Sequence, residues 1–237
     1  MNLPLNMPKN SNDPHQLARY NLVEQQVRPW DVHDARVLEL IGTLRREEFV
    51  PEGLQDLAFM DIQLPLLGDD GEAAVANGYC MMQPRVEARV LQDLALKPTD
   101  NVLEIGTGSG YMAALIGSMA KQVTTIEIEP ALVELARANL HRAGFRNVDV
   151  TLDDGSKISS IGGTFDAIVL SGSVHEVPAA LLEKLNEGGR LVAFVGDAPI
   201  MRTTVFTRTN GKIESRQVWD TVVARLKGFP EAPRFKF

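Results

Sequence analysis

Residues 101–117 read NVLEIGTGSGYMAALIG, a short apolar run followed by three glycines and a second apolar stretch. The first run predicts a buried strand, and the residues from Tyr111 onward predict a helix. Glycines between a strand and a helix permit a positive φ and let a ligand approach the backbone, because no Cβ stands in the way. This turn is typical of nucleotide-like binding sites in α/β proteins. A tight packing turn without a ligand is the other interpretation.

The residues after this stretch alternate between strand and helix patterns. The predicted strands are 123–126, 148–152, 165–170 and 190–195, and the predicted helices are 130–143 and 178–185. Asn210-Gly211 predicts a final hairpin of 203–207 with 218–226. The fold class is therefore α/β, with a doubly wound, mostly parallel, Rossmann-like sheet and a C-terminal antiparallel edge.

The first hundred residues have a different character. Helices are predicted at 13–27, 34–46 and 84–94, whereas 61–79 lacks periodicity and indicates a functional loop. The predicted division is a mobile N-terminus at 1–12, N-terminal helices and a substrate-side loop at 13–99, and a binding domain at 100–237.

Composition excludes several function classes. The chain has 237 residues, with 24 Lys and Arg against 31 Asp and Glu, and a net charge of −7 disfavours a nucleic-acid partner. Cys80 is the only cysteine, so neither an intrachain disulfide nor a cysteine zinc cage can form. The four histidines are too dispersed for a helical metal site. No apolar run predicts a membrane span or a signal peptide, so we expect a cytoplasmic protein.

Acidic residues stand at the ends of three consecutive predicted strands, namely Glu104, Glu127 and Asp154. Glu104 places a negative charge where a pyrophosphate would lie, which suits a cationic ligand such as S-adenosylmethionine. Glu127 stands where an acidic side chain accepts ribose hydroxyls, and Asp154 can accept from an adenine amino group. Tyr111 occupies the position of the third glycine of a dinucleotide site, which argues against NAD. Each acid alone could also be a solvated strand-end charge.

These patterns define a set of cofactor-binding candidates and no metal ligands. The set consists of Glu104, Gly106, Thr107, Gly108, Ser109, Gly110, Glu127, Ile128, Asp154 and Gly155.

Longer segments carry a family resemblance. VLEIGTGSGYMAALI, TTIEIEPALVELARANL, VDVTLDDG and FDAIVLSGSVHEVPAALLEKLNEGGRLVAFVG are similar to the protein-L-isoaspartate O-methyltransferase family of class I methyltransferases. The resemblance covers about residues 17–210, and upstream it includes Phe49-Val50-Pro51, Asp61 and Leu64-Pro65-Leu66. It implies S-adenosylmethionine-dependent methylation of the free α-carboxylate of isoaspartyl residues in damaged proteins, with such a protein or peptide as the partner.

The substrate-side segment departs from the family pattern. The family reads G-x-T-I-S-Q-P where this chain has Gly78-Tyr79-Cys80-Met81-Met82-Gln83-Pro84. Met82 therefore stands in place of the family's active-site serine, and Cys80 in place of its threonine. The substrate-side candidates are Asp61, Met82 and Cys80, with the catalytic role unassigned. A methyltransferase with another substrate and a cofactor-binding pseudoenzyme remain alternatives. His175 is either a general base at the cleft edge or a solvated loop residue.

Overall fold

A computed structural model describes residues 14–231, and its centre is a seven-stranded sheet. A separate two-stranded ladder pairs β1 (Leu64–Pro65) with β2 (Cys80–Met81) in antiparallel fashion. The strands of the main sheet are β3 (Asn101–Ile105), β4 (Gln122–Glu127), β5 (Val148–Leu152), β6 (Phe165–Val174), β7 (Leu185–Asp197), β8 (Ile200–Thr209) and β9 (Lys212–Thr221).

The spatial order of the sheet is β5-β4-β3-β6-β7-β8-β9. Pairing is parallel from β5 through β7, and β8 and β9 add an antiparallel edge. The predicted mostly parallel α/β sheet with an antiparallel C-terminal edge is confirmed.

The sheet changes winding direction at β3. From β3 the chain proceeds to β4 and β5 on one side and then crosses to β6 on the other, so Ile105 lies between Ile126 and Leu170. Loops diverge at such a switch point, which leaves a crevice beyond the carboxyl ends of the strands. The glycine stretch begins at this crevice.

Seven α-helices accompany the strands within the described residues. They are α1 (Pro14–Asn21), α2 (Ala35–Thr43), α3 (Gly71–Ala76), α4 (Pro84–Leu94), α5 (Tyr111–Gly117), α6 (Pro130–Arg142) and α7 (Ala179–Leu182). The helices predicted at 34–46, 84–94 and 130–143 are confirmed, with ends shifted by up to three residues. The carboxylate of Asp34 accepts a hydrogen bond from the Arg36 N–H at 2.9 Å and caps α2.

The first predicted helix is only partly α-helical. After α1 the chain forms a π-helical turn at Leu22–Val27 and a 3₁₀ turn at Arg28–Trp30. The wider turn buries Leu22, Val23 and Val27 against the core. The predicted N-cap at Asp13 and the predicted mobile segment 1–12 lie outside the described residues.

The prediction of an irregular loop over 61–79 is wrong in its middle. Helix α3 lies there, and the Asp70 carboxylate accepts a hydrogen bond from the Ala73 N–H at 3.0 Å. A helix of six residues is too short to show a helical repeat, so a local cap rather than periodicity marks its start.

Two C-terminal predictions are also wrong in extent. The helix predicted at 178–185 shortens to α7, because Leu185 is buried and pairs with Phe165 as the start of β7. The hairpin predicted to end at Leu226 ends with β9 at Thr221. Beyond it, the Ser173 N–H donates to the Ala224 carbonyl at 2.8 Å, and the Leu226 N–H donates to the Ser173 carbonyl at 2.9 Å. These two hydrogen bonds pair residues 224–226 with β6.

Apolar residues cover both faces of the sheet. Val102 belongs to one buried cluster and its neighbour Leu103 to another, as expected where side chains alternate between two faces. The first cluster also contains Leu38 of α2 and Leu91 of α4, so the N-terminal helices pack on that face. No helix among residues 14–231 is both long and apolar enough to cross a membrane.

Candidate cofactor and substrate cleft

The glycine stretch forms a turn that needs glycine at each predicted position. Gly106, Gly108 and Gly110 have φ of 97°, 55° and 84°. In this conformation a side chain is strained by 1–2 kcal/mol or so. At Gly106 an added Cβ would also lie 2.8 Å from Leu226 Cδ2. The conformation predicted for the loop is thus confirmed.

Glu127 joins the end of β4 to this loop. Its Oε2 accepts a hydrogen bond from the Gly108 N–H at 2.9 Å, and its Oε1 accepts from the N–H groups of Ile128 and Glu129 at 3.0 and 3.1 Å. Gly106 and Gly110 donate their own N–H groups to the carbonyls of Ile126 and Thr107. The amides of Gly106, Gly108 and Gly110 are therefore engaged by protein acceptors, and a carboxylate occupies a place where a phosphate cradle would need free donors.

Glu104 lies beneath the loop and is fully buried. Its two oxygens accept hydrogen bonds from the hydroxyls of Thr125 and Ser171, both at 2.7 Å. Burial raises the pKa of Glu104 to about 8, because the charged form loses its hydration. Glu104 does not line the cleft; its contact with the cleft wall is the hydrogen bond from Ser171. The raised pKa also makes the fixed negative charge expected at this position wrong near pH 7.

A cleft opens above the carboxyl ends of β3, β4 and β6. Seven predicted site residues line it: Cys80, Met82, Gly106, Gly108, Glu127, Ile128 and Gly155. The remaining wall is formed by Gly78, Tyr79, Ile105, Ile126, Leu132, Ser171, Gly172, Ala224, Arg225, Leu226 and Lys227. The lining thus combines apolar side chains with two cations, Arg225 and Lys227, and a single carboxylate, that of Glu127.

Thr107 and Ser109 line a smaller cavity next to the cleft, which we call the inner cavity. Met82 and Cys80 border both spaces, so the substrate-side segment separates them. Gly110 instead packs against α6, where an added Cβ would lie 3.2 Å from Leu140.

A buried arginine holds the substrate-side segment in place. Arg46 donates from Nη2 to the Met82 carbonyl at 2.6 Å and from Nε to the Ala58 carbonyl at 3.1 Å. Its Nη1 pairs with Glu87, a buried residue that lines the inner cavity. Burial raises the pKa of Glu87 to about 7, although Arg46 opposes that rise. The family-like segment around Met82 is thus anchored through its backbone.

Cys80 and Asp61 are placed less favourably for chemistry. Burial raises the pKa of the Cys80 thiol to about 11, so it is neutral near pH 7 and is not an activated nucleophile. Asp61 lies outside the cleft lining, and its Oδ2 is 2.9 Å from Nε of Arg85. Burial raises the pKa of Asp61, and Arg85 opposes the shift. The structure brings Met82 and Cys80 together in the cleft but not Asp61.

The Asp154 side chain stabilises the turn that follows β5 and does not line the cleft. Its Oδ1 accepts hydrogen bonds from the backbone N–H and the hydroxyl of Ser156, at 3.0 and 2.6 Å. The Ser156 hydroxyl, followed by Lys157, holds the pKa of Asp154 below its usual value. Its neighbour Gly155 lines the cleft and packs on Ile105.

The segment Ala224–Lys227 roofs the cleft, and we call it the strap. Sequence periodicity missed it because the same residues read as a continuation of β9. Its best available signal is Gly172 within β6, because an added Cβ at this position would lie 2.9 Å from Leu226. His175 is outside the cleft lining and bonds to Asp197 through Nδ1 at 2.7 Å. Among the described residues, no group of three or more His, Cys, Asp or Glu side chains could hold a metal ion.

Known proteins share these features. A profile of the family described as Protein-L-isoaspartate(D-aspartate) O-methyltransferase (PCMT) matches residues 18–226. The protein-L-isoaspartate O-methyltransferase of Koribacter versatilis is 36% identical over 212 residues, covering 90% of this chain and 91% of the relative. The enzyme of the same name from Rhodopseudomonas palustris is 40% identical over 175 residues, covering 74% and 76%.

Two solved structures share the fold. One, named protein-L-isoaspartate O-methyltransferase, has a TM-score of 0.73 at 24% identity and covers 89% of this chain, which spans 66% of that one. The other is from Plasmodium falciparum and is described as a complex with S-adenosyl-L-homocysteine. It has a TM-score of 0.72 at 21% identity and covers 91% of this chain and 99% of its own.

Proposed function

Because the chain belongs to the protein-L-isoaspartate(D-aspartate) O-methyltransferase family, we propose that its cleft brings an isoaspartyl carboxylate to S-adenosylmethionine. The protein is an S-adenosylmethionine-dependent O-methyltransferase. The observation that carries the assignment of the cleft is Glu127, a carboxylate at the end of β4 that faces the crevice between the glycine loop and α6.

The residues of the cleft fit this cofactor. Ile126, Ile128 and Leu132 offer apolar surface to a flat base, and Glu127 offers the remaining lone pair of its Oε2 to a ribose hydroxyl. Gly106 and Gly108 leave room beside the backbone. The engaged loop amides favour a ligand without phosphates. Asp154 remains our proposed partner of the adenine edge, with Gly155 as its support at the cleft wall.

When bound, the cofactor supplies an electrophilic methyl group that a carboxylate oxygen can attack. The chain's task is to hold that oxygen in line with the methyl carbon and to exclude water. A side-chain or terminal carboxyl has a pKa of roughly 4, so it is ionised near pH 7 and needs no general base. This agrees with the position of His175 outside the cleft lining.

We propose further that Met82 takes the place of a serine in the substrate-side segment and that Cys80 takes the place of a threonine. Met82 is buried between the two cavities, and it offers no hydrogen-bond donor. The acceptor carboxylate must therefore find its donor elsewhere in the cleft. We also propose that the protein lies in the cytoplasm, because a lone cysteine suits a reducing compartment.

The two alternatives are a different methyl acceptor and a cofactor-binding pseudoenzyme. The names of the relatives at 36% and 40% identity favour neither. Both alternatives are outcomes of one experiment.

That experiment incubates the full chain and methyl-labelled S-adenosylmethionine with an isoaspartyl peptide, or with the same peptide containing ordinary aspartate. We expect label in a base-labile ester on the isoaspartyl peptide only. Absence of label there, together with cofactor binding by calorimetry, would overturn the proposed substrate. Label on protein from a cell extract would then indicate another acceptor, and absence of any label would indicate a pseudoenzyme.

A further inference from the structure

The two side-chain hydroxyls that line the cleft, those of Ser171 and Tyr79, already donate hydrogen bonds to carboxyl groups of the protein. Ser171 donates to Glu104 at 2.7 Å, and Tyr79 donates to Glu129 at 2.9 Å. Met82 has no donor, and the Cys80 thiol is a weak one. Among the described side chains of this lining, the strong donors left for an anionic substrate are the cations of the strap, Arg225 and Lys227.

Arg225 is the better placed of the two cations. Its Nη2 pairs with Oδ1 of Asp197, whose Oδ2 is 2.7 Å from Nδ1 of His175. This chain of contacts fixes the guanidinium at the carboxyl ends of β6 and β7. Nη1 of the same guanidinium is shielded from solvent and has no hydrogen-bond partner within residues 14–231. A buried charged donor without a partner is costly, and a ligand or a water that supplies an acceptor removes that cost.

We propose that Arg225 recognises the methyl-accepting carboxylate of the substrate, with Nη1 donating to one carboxylate oxygen. This assignment rests on the proposed function. Arg225 thereby supplies the donor that the replacement of serine by Met82 removes. Asp197 is a positioning residue in this arrangement, because it holds the guanidinium and does not touch the substrate.

Recognition through one nitrogen suits methyl transfer. A bidentate arginine engages both oxygens of a carboxylate. Since Nη2 is committed to Asp197, Nη1 holds one oxygen and leaves the other free to attack the methyl group. Methylation then converts the bound anion into a neutral ester. The ester forms a weaker hydrogen bond to a cation than the carboxylate does, which favours release of product over substrate.

Lys227 is the competing candidate. Its Nζ lies 3.6 Å from the centre of the Tyr79 ring, so the ammonium is engaged in a cation–π contact. Tyr79 in turn bonds to Glu129. Lys227 therefore has a partner of its own, unlike Nη1 of Arg225.

The test compares Arg225→Gln, Lys227→Gln and the control Arg36→Gln, which removes the same charge from an exposed position in α2. The substrate is an isoaspartyl peptide, and its α-amide analogue serves as competitor. We expect Arg225→Gln to raise KM by roughly 10- to 100-fold, with little change in kcat and in affinity for S-adenosylhomocysteine. The preference for the carboxylate peptide over its amide should largely disappear. Arg225→Lys should retain part of the preference for the carboxylate peptide.

The variant Asp197→Asn tests whether Asp197 acts only by positioning the Arg225 guanidinium. It should raise KM less than Arg225→Gln does and leave cofactor affinity unchanged. An unchanged KM in Arg225→Gln and Arg225→Lys with active wild type would overturn the assignment while leaving the proposed function intact. If Lys227→Gln is the only variant that raises KM, the assignment to Arg225 is likewise overturned and the proposed function stands. Wild type that binds S-adenosylhomocysteine but does not methylate the peptide would overturn both.

Discussion

The carboxylate of Glu127 accepts a hydrogen bond from the backbone N–H of Gly108 at 2.9 Å, which joins the end of β4 to the middle of the glycine loop. One side chain thus shapes the loop and also lines the cleft. The proposed role of Glu127 in cofactor recognition therefore ties ligand binding to the geometry of the loop.

Glu127→Gln should weaken binding of S-adenosylhomocysteine by about 10- to 100-fold, because charge-assisted hydrogen bonds are lost. In the glutamine variant an NH₂ group replaces one of the two carboxylate oxygens. This group cannot accept the hydrogen bond that a backbone N–H donates to that oxygen in the wild type. Isothermal titration calorimetry measures the effect. Glu134→Gln, at an exposed position in α6, is the matched control. Equal affinities in the two variants would contradict the role of Glu127.

Gly108→Val tests the loop against a control with the same backbone penalty. Gly163 has φ of 76°, and no atom lies within 4 Å of an added Cβ. Both Gly108→Val and Gly163→Val should lower the free energy of unfolding by about 1–2 kcal/mol. Only Gly108→Val should lose affinity for S-adenosylhomocysteine. If both variants bind normally, the glycine stretch is a packing turn.

Met82→Ser should restore a hydroxyl donor to the substrate side and raise kcat/KM on an isoaspartyl peptide by about 5- to 150-fold. The same change removes buried apolar volume, so the melting temperature should fall. Met81→Ser is the control, since Met81 is also buried but does not line the outer cleft. No gain in Met82→Ser would mean that its missing hydroxyl is not limiting.

Glu104 should make stability depend on pH. Its pKa rises from 4.5 to about 8 on folding, so between these values the folded protein binds the proton and the unfolded chain does not. The free energy of unfolding therefore falls as pH rises through this window, by up to about 1.4 kcal/mol per pH unit.

Glu104→Gln cannot titrate, and the hydroxyls of Thr125 and Ser171 can rotate to suit the amide. Urea unfolding from about pH 5 to about pH 8 should show the variant gaining stability relative to wild type as pH rises. Parallel curves for the two proteins would show that Glu104 does not carry the effect.

The sheet and its loop follow from the sequence because each signal is local. Val102, Leu103 and Ile105 are apolar residues of β3, and Gly106, Gly108 and Gly110 have the positive φ that glycine favours. Glu127 is predictable for a similar reason: it follows the apolar run of β4 directly. These residues need only their immediate neighbours to adopt their conformations.

The position of the strap over the cleft and the burial of Glu104 cannot be predicted from local sequence. Arg225 is placed by a contact with Asp197, twenty-eight residues earlier in the chain. Glu104 has the same sequence signal as Glu127, yet it is buried under Ser171, which belongs to a strand sixty-seven residues away. The register between β3 and β6, which pairs Glu104 with Val169, brings Ser171 within reach of the Glu104 carboxyl group.

The strap has a consequence for biosynthesis. Residues 224–227 follow every strand of the sheet, and Leu226 packs where the glycine loop meets the end of β6. A chain still emerging from the ribosome can form the sheet from its earlier segments while this cover is absent. Cofactor binding should therefore mature only after residues 224–227 have been synthesised, later than the strands that form the floor of the cleft.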